Sequence, residues 1–309
     1  MEKEKEIIQL WKQAQEKKKE LLKKLPVKPY DLLKEECYLE HSDTVPLIRF
    51  EAFRRFGFIN AAFSTRFGGV SKDYLSELNF GFDRGEEKET VIENYRLFCA
   101  SMGIEAQSLV LSDQVHDTKL HVAGAEDACT DEIQKKLKGI DGLLTNQPEL
   151  CLATSYADCV PLFFVDSEKK VIASSHSGWR GTVERMGAKT IEAMEKQFGC
   201  RKEDIVVVIG PSICQSCYEV SRDVIDAFLE HYKKEQVEKI AYCSDSERDK
   251  YQLDLWAANY LQLMDIGILE ENIHVAGLCT CCNSKLLFSH RASKGKRGNL
   301  NGFISLKKS

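Results

Sequence analysis

CLATSYADCVPLFFVDSEKKVIASSHSGWRG, Cys151 to Gly181, is the stretch around which the chain is organised. Two apolar, β-rich runs, Cys151–Val165 and Val171–Ser175, flank a charged turn at Asp166–Lys170 and predict two neighbouring strands. Each run carries a metal-competent side chain near its end, Cys159 in Ala-Asp-Cys-Val-Pro and His176 in Ser-His-Ser-Gly-Trp-Arg-Gly. A thiolate and an imidazole held on rigid strands suit zinc or copper. The Gly178–Gly181 loop then opens an expected helix, whose first N–H groups could face an anion. A soft metal beside an anion cradle is the leading expectation.

Composition narrows the rest. The chain has 309 residues, 43% hydrophobic and 29% charged, as a water-soluble globular protein has. A formal net charge of -5 leaves no footprint for nucleic acid. No apolar run reaches the roughly 20 residues that span a bilayer. The opening Met-Glu-Lys-Glu-Lys-Glu lacks the order of a secretory signal, so the expected location is cytoplasmic. Twelve cysteines in that setting predict reduced thiols rather than a disulfide framework. Cys99 and Cys151 sit in apolar contexts and read as core fillers.

Residues 1–25 place Ile7, Trp11, Ala14, Leu21 and Leu25 at helical spacing among Lys and Glu. This predicts an amphipathic helix docked on the main body, interrupted at Lys18 and ended by Pro26 and Pro29. From about residue 45 strands and helices interleave without strict alternation. Ile59–Thr65 predicts a strand running into Arg66-Phe67-Gly68-Gly69, where glycines permit close approach and Arg66 supplies a forked cation. Ser76–Gly81 is a polar loop, and Lys88–Met102 a helix capped by Gly103. Ser108–Leu111 and Val115–Val122 predict strands, with His116 at the start of the second. Gly139–Thr145 is a turn leading into a strand, Thr182–Phe198 a helix, and Ile205–Ile209 a buried strand. Helices over Ser221–Tyr232 and Leu253–Met264, a strand over Ile273–Leu278 and an apolar Phe303–Leu306 complete the chain. The fold class is α+β: a mixed β-sheet core flanked by helices, one catalytic domain over 41–309 and a charged helical extension over 1–40.

Gln-Val-His116, Ala-Asp-Cys159-Val-Pro, His176-Ser-Gly-Trp-Arg-Gly, Ile-Gly-Pro211, Cys217-Tyr-Glu-Val and Cys279-Thr…Phe-Ser-His-Arg291 occur in this order. With Ser64-Thr-Arg66-Phe-Gly-Gly-Val-Ser71 they resemble the laccase-domain family over roughly residues 45–309. That family was long labelled multicopper polyphenol oxidases and is now assigned zinc-dependent purine nucleoside phosphorylase activity. The resemblance implies metal ligands at His116, Cys159 and His176, which also head the candidate catalytic set, and a phosphate contact at Arg66. Ser64, Asn79 and Arg180 complete the candidate set for substrate and phosphate. Asp158 is expected to point to the opposite strand face from Cys159 and to support the ligand. The implied cofactor is Zn2+, with Cu2+ the alternative. The implied small-molecule partners are a purine nucleoside and phosphate, with no nucleic acid or membrane partner and a homodimer as the assembly considered. Adenosine deamination is a further activity credited to the family. Departures from the family pattern are Asp117 in place of Gly, Ser177 in place of Ala, and Lys296-Arg297-Gly298 where Gly-Arg is usual.

Three other readings compete. A copper phenol oxidase would need clustered His-x-His pairs, and seven histidines include none. A metal-free cysteine hydrolase would use Cys159 as nucleophile and His176 as base. A metal-stabilised binding protein would show no turnover. The usual zinc deaminase motif, His-x-Glu with Pro-Cys-x-x-Cys, is missing. Cys214, Cys217, Cys279, Cys281 and Cys282 could assemble a second zinc site, because Cys-x-x-Cys has ligand spacing. The preferred expectation is that they are buried reduced thiols near the pocket.

Overall fold

A computed structural model describes residues 2–23, 36–41 and 45–308. Among these the strands form three sheets. The first runs Cys37–His41, Pro46–Phe50, Ile59–Ser64, Leu300–Leu306, Cys151–Tyr156, Leu109–Asp113 and Leu137–Lys138, in spatial order. The second runs Ile273–Val275, Ile205–Ile209, Val160–Asp166, Val171–Ser177, Gly142–Thr145 and Leu120–Val122. A small third sheet joins Glu219–Ser221, Lys250–Leu253 and Ala241–Asp245. Both large sheets mix parallel and antiparallel pairs. The expected mixed β core flanked by helices is thus present, resolved into two facing sheets.

Side-chain alternation explains the layering. In Val160–Asp166, Phe163 and Val165 point into the core between the two sheets, while Val160, Leu162 and Phe164 point into the core under the helices. Val206 and Val208 alternate with Ile205, Val207 and Ile209 in the same way. A strand buried on both faces reads as an unbroken apolar run, because neither face needs polar residues. Helices Met186–Phe198 and Leu255–Asp265 cover the outer face of the second sheet. Lys88–Met102 covers the first through Val91, Tyr95, Phe98, Cys99 and Met102, a helical stripe. The sheets approach closely at Gly302, where an added Cβ would stand 2.3 Å from the Phe163 ring.

Several expected boundaries move. The run Cys151–Val165 is two strands, Cys151–Tyr156 in the first sheet and Val160–Asp166 in the second, with a turn at residues 157–159 between them. Asp158 holds φ +85 in that turn, so it and Cys159 do not alternate as neighbours on a strand do. Gln114–Lys119 is a loop rather than a strand start, with His116 at φ +64. The helix expected over Thr182–Phe198 is split into Trp179–Val183 and Met186–Phe198 by Arg185, which sits at φ +60. A single five-residue turn of helix is too short to act as the expected anion cradle, since the macrodipole sums over aligned peptides.

The N-terminal helix Glu2–Lys23 continues through Lys18 without a break. Lys18 is buried with Ile7 and Ala14, its stem against Gly277, so the lysine that looked like an interruption lies on the docking face. The expected stop at Pro26 and Pro29 lies outside the described residues. The edge strand Cys37–His41 pairs with Pro46–Phe50 across the boundary expected at residue 41.

Candidate functional site

The crossing between the sheets builds the site. The chain leaves the first sheet at Tyr156, turns through Ala157, Asp158 and Cys159, and enters the second at Val160. Val160–Asp166 pairs antiparallel with Val171–Ser177, with Ser177 opposite Val160 and His176 opposite Pro161. That register sets Cys159 beside Gly178 and His176. An added Cβ on Gly178 would stand 3.2 Å from both the Cys159 Sγ and the His116 ring, so glycine keeps room for the three side chains to meet. His116 arrives on the loop after Leu109–Asp113, which is parallel to Cys151–Tyr156 and ends on the same side. One ligand-competent atom from each of His116, Cys159 and His176 lies within 4.8 Å of the others. His116 is exposed, Cys159 half-buried and His176 buried, so the group opens to solvent on the His116 side.

Asp141, absent from the expected set, organises this group. Its carboxylate accepts hydrogen bonds from the backbone N–H groups of Val115, His116 and Asp117 at 3.0, 2.9 and 3.1 Å. It also lies 2.9 Å from His176 Nδ1, and its carbonyl accepts from His176 N. One buried carboxylate therefore shapes the His116 loop and, as the acceptor of the Nδ1–H, leaves Nε2 of His176 free for a ligand. Burial would raise the Asp141 pKa, but His176 and the backbone donors hold it below its ordinary value. Gly139-Ile-Asp-Gly142 carried the sequence signal, a short acidic turn before a strand, which is common elsewhere.

Without a metal the thiol and the imidazole form an ion pair, and an ion binding there would displace the His176 proton. Burial alone would raise the Cys159 thiol, yet the His176 cation and hydrogen bonds from His116 and His176 bring it to about 6. Burial would lower His176, but the Cys159 thiolate and Asp141 raise it to about 9. A thiolate between two imidazoles is a zinc donor set. Donors sharing one zinc stand roughly 3.3–3.8 Å apart for bonds of about 2.0–2.3 Å, so small side-chain shifts close the group on an ion.

Asp158 braces the turn. It accepts from Thr280 Oγ1 at 2.6 Å and from Arg291 N at 2.7 Å, and its carbonyl accepts from Ile213 N. The other expected residues divide. Arg66 is half-buried; its Nε and one Nη donate to the carbonyls of Ser76 and Ser284, and its guanidinium lies over Phe288. Ser64 and Asn79 are fully buried. Ser64 Oγ accepts from Asn301 N, and Asn79 ties Gly81, Glu86 and Asn299 together. These two are corrected from ligand contacts to scaffold, because no surface of theirs is open to a ligand. Arg180 is exposed and stacked on Trp179. Arg84 and Arg297, outside the expected set, each have a buried Nε without a partner among the described residues. Burial first, then Arg84, lowers Arg297 to about 10, and Asp158 and Cys159 lie within electrostatic range of it.

A second group is also assembled. Sγ atoms of Cys214, Cys217, Cys279 and Cys282 lie within 4.8 Å of one another and could hold a metal ion such as zinc. Four of the five cysteines therefore converge, free as expected but close enough together to share an ion; Cys281 stays outside.

These two thiol-bearing donor groups, one at the crossing of the sheets and one on loops of the second sheet, are those of a candidate metalloenzyme. The chain belongs to the laccase-domain family: the sequence profile described as multi-copper polyphenol oxidoreductase laccase matches residues 60–307. Purine nucleoside phosphorylase YlmD of Bacillus subtilis (strain 168) is 36% identical over 249 residues, 80% of this chain and 88% of that protein. Adenosine deaminase RL5, from an unknown prokaryotic organism, is 32% identical over 234 residues, 74% of this chain and 87% of that protein. The crystal structure of Bacillus licheniformis hypothetical protein YfiH superposes with a TM-score of 0.81 at 31% identity, covering 87% of this chain and 99% of that one. The copper phenol-oxidase reading finds no matching centre. Among the described residues His121 and His274 are hydrogen-bonded to Asp127 and Glu36, and neither donor group holds more than two imidazoles.

Proposed function

We propose that the protein is a zinc-dependent purine nucleoside phosphorylase, transferring ribose from a purine nucleoside to phosphate and releasing the free base with ribose 1-phosphate. The observation that carries this reading is the convergence of His116, Cys159 and His176 at the sheet crossing, open on one side. Three protein donors leave a fourth zinc position for water or substrate, the arrangement of a catalytic site. Bound there, zinc supplies Lewis-acid polarisation of a substrate oxygen and acidifies water.

The remaining work falls to the chain. Asp141 fixes the tautomer and direction of His176 and the shape of the His116 loop. Arg297 and Arg84 each keep a buried Nε without a partner among the described residues and feel each other's charge, while Arg297 Nη1 donates to Asn299; a phosphate dianion would offset that like-charge repulsion. Arg66, expected as a phosphate contact, has two donors already engaged by the carbonyls of Ser76 and Ser284, which leaves its remaining N–H groups for an anion. Asp158, tied to Thr280 and Arg291, keeps the Cys159 turn from relaxing. Adenosine deamination at the same centre is the second reading, favoured by the similarity to a protein named as an adenosine deaminase.

The test is an assay of zinc-loaded protein with adenosine, inosine, guanosine and methylthioadenosine, with and without phosphate. Free base and ribose 1-phosphate that appear only with phosphate are the expected result. Ammonia release that ignores phosphate would favour the deaminase reading instead. No product from any nucleoside would end both.

A further inference from the structure

We propose that Cys214, Cys217, Cys279 and Cys282 form a second, closed tetrathiolate zinc site that clips two loops together behind the Cys159 turn. Nothing in the reaction proposed above uses these residues. They come as two Cys-x-x-Cys pairs, one on the loop after Ile205–Ile209 and one on the loop after Ile273–Val275. Those two strands are parallel neighbours, so their following loops emerge side by side. Ser212 and Cys279 bridge as parallel strands do, with Ser212 N donating to Leu278 O and Thr280 N to Ser212 O. The backbone therefore presents both pairs to one point.

The sulfur geometry is that of a cage for one ion. Cys214 Sγ lies 3.9 Å and Cys217 Sγ 3.5 Å from Cys282 Sγ. A tetrahedron with Zn–S bonds of about 2.3 Å has edges of roughly 3.8 Å. A disulfide needs sulfurs about 2.05 Å apart, and all twelve cysteines are free. Backbone N–H groups of Cys214 and Cys282 both donate to Cys279 Sγ at 3.3 Å, a fixed polar support for a coordinating thiolate. Cys214 and Cys279 are buried and Cys217 and Cys282 half-buried. Four protein donors fill a tetrahedral zinc, which marks structure rather than catalysis.

The placement says what the clip holds. Ile213 N donates to the Asp158 carbonyl, and Thr280 Oγ1 donates to its carboxylate. Each zinc-bearing loop thus sends one hydrogen bond to the residue preceding Cys159. Arg291 adds a backbone bond to Asp158, and its guanidinium donates to the carbonyls of Cys217 and Glu219. On the outer side Lys17 of the N-terminal helix donates to the Cys282 carbonyl, bringing a cation toward a centre that carries net negative charge when four thiolates bind one Zn2+.

Elemental analysis of full-length protein, purified reduced from zinc-supplemented culture, tests the assignment. In a Cys159→Ala/His176→Ala variant one zinc per chain should remain, so the count does not depend on the first centre or on any activity. Cys217→Ser/Cys282→Ser should carry one zinc fewer than wild type and melt at lower temperature. If that variant does not fold, the Cys159→Ala/His176→Ala variant supplies two further measurements. An organomercurial titration should release its remaining zinc with four thiols per ion, and cobalt exchange into it should give an intense thiolate-to-cobalt charge-transfer band. No zinc in the Cys159→Ala/His176→Ala variant, iron in its place, or mass-mapped Cys214–Cys217 and Cys279–Cys282 disulfides would each overturn the proposal.

Discussion

The two thiol-bearing groups solve opposite problems with similar atoms. His116, Cys159 and His176 come from a loop, a turn and a strand, meet at the crossing of two sheets, and include one exposed member. The four cysteines come from two loops in matched pairs, mostly withdrawn from solvent. Mixed donors with a free side suit turnover, whereas four identical donors that leave no free side suit cross-linking. Asp158 joins the two, since it precedes Cys159 and is gripped by both cysteine-bearing loops. On the roles proposed for them, the difference teaches that donor type, donor number and openness act together.

The sharpest way to break the comparison is to remove a donor from each side. His176→Ala, or Cys159→Ala, should abolish zinc at the first centre and cut kcat/KM for phosphorolysis by on the order of 10³-fold, the loss of several kcal/mol of Lewis-acid stabilisation. Metal analysis and the phosphate-dependent assay check this together. Phosphorolysis retained at full rate by metal-free Cys159→Ala protein would contradict the role given to the ion.

Asp141→Asn comes next. The amide keeps the shape but offers one acceptor oxygen where the carboxylate gives two to three backbone donors and a ring nitrogen. Roughly 10- to 100-fold weaker zinc binding at the first centre is expected, measured by chelator competition, with the four-cysteine group unaffected. A third and smaller effect falls on phosphate. Arg297→Met should raise the phosphate KM by roughly 10- to 100-fold, as for one charge-assisted contact, with zinc content unchanged. An unaltered phosphate KM would remove Arg297 from the proposed phosphate contacts.

How far the sequence disclosed these features depends on where the information sits. The core strands were readable because a strand such as Val160–Asp166, buried on both faces, writes an apolar run. The same property hid the turn at residues 157–159: with apolar strands on each side and no Gly or Pro between them, nothing local marks a change of sheet. What holds that turn is Thr280 and Arg291, 122 and 133 residues away. His116 was misplaced on a strand for a similar reason, since its loop is shaped by Asp141 from 25 residues away. Ser64, at the end of an expected strand, and Asn79, in a polar loop, looked available to a ligand, but both are fully buried. In the second cysteine pair, Cys279 and Cys282 were obscured by Cys281 lying between them, which only coordinates exclude from the group.

The gentlest perturbation, pH, also separates reactive from inert thiols. In protein stripped of metal, Cys159 ionises near pH 6 rather than near its ordinary 9.0, because the His176 cation and hydrogen bonds from His116 and His176 outweigh the burial that would raise it. The thiolate is the nucleophile, so alkylation of Cys159 by iodoacetamide should rise as pH climbs through about 6. The sign for stability follows: a pKa depressed by folding contributes stability that is lost as pH falls through about 6. His176, raised to about 9, contributes stability that is lost as pH rises through that value, so the stripped centre holds its ion pair between the two. Cys99, pushed up to about 12 by burial, should stay unmodified over the same range and serves as the internal control. Peptide mapping of the alkylated protein at a series of pH values reads both sites at once. Zinc added back should protect Cys159 at every pH, and a midpoint near 9 without zinc would mean that His176 does not polarise the thiol.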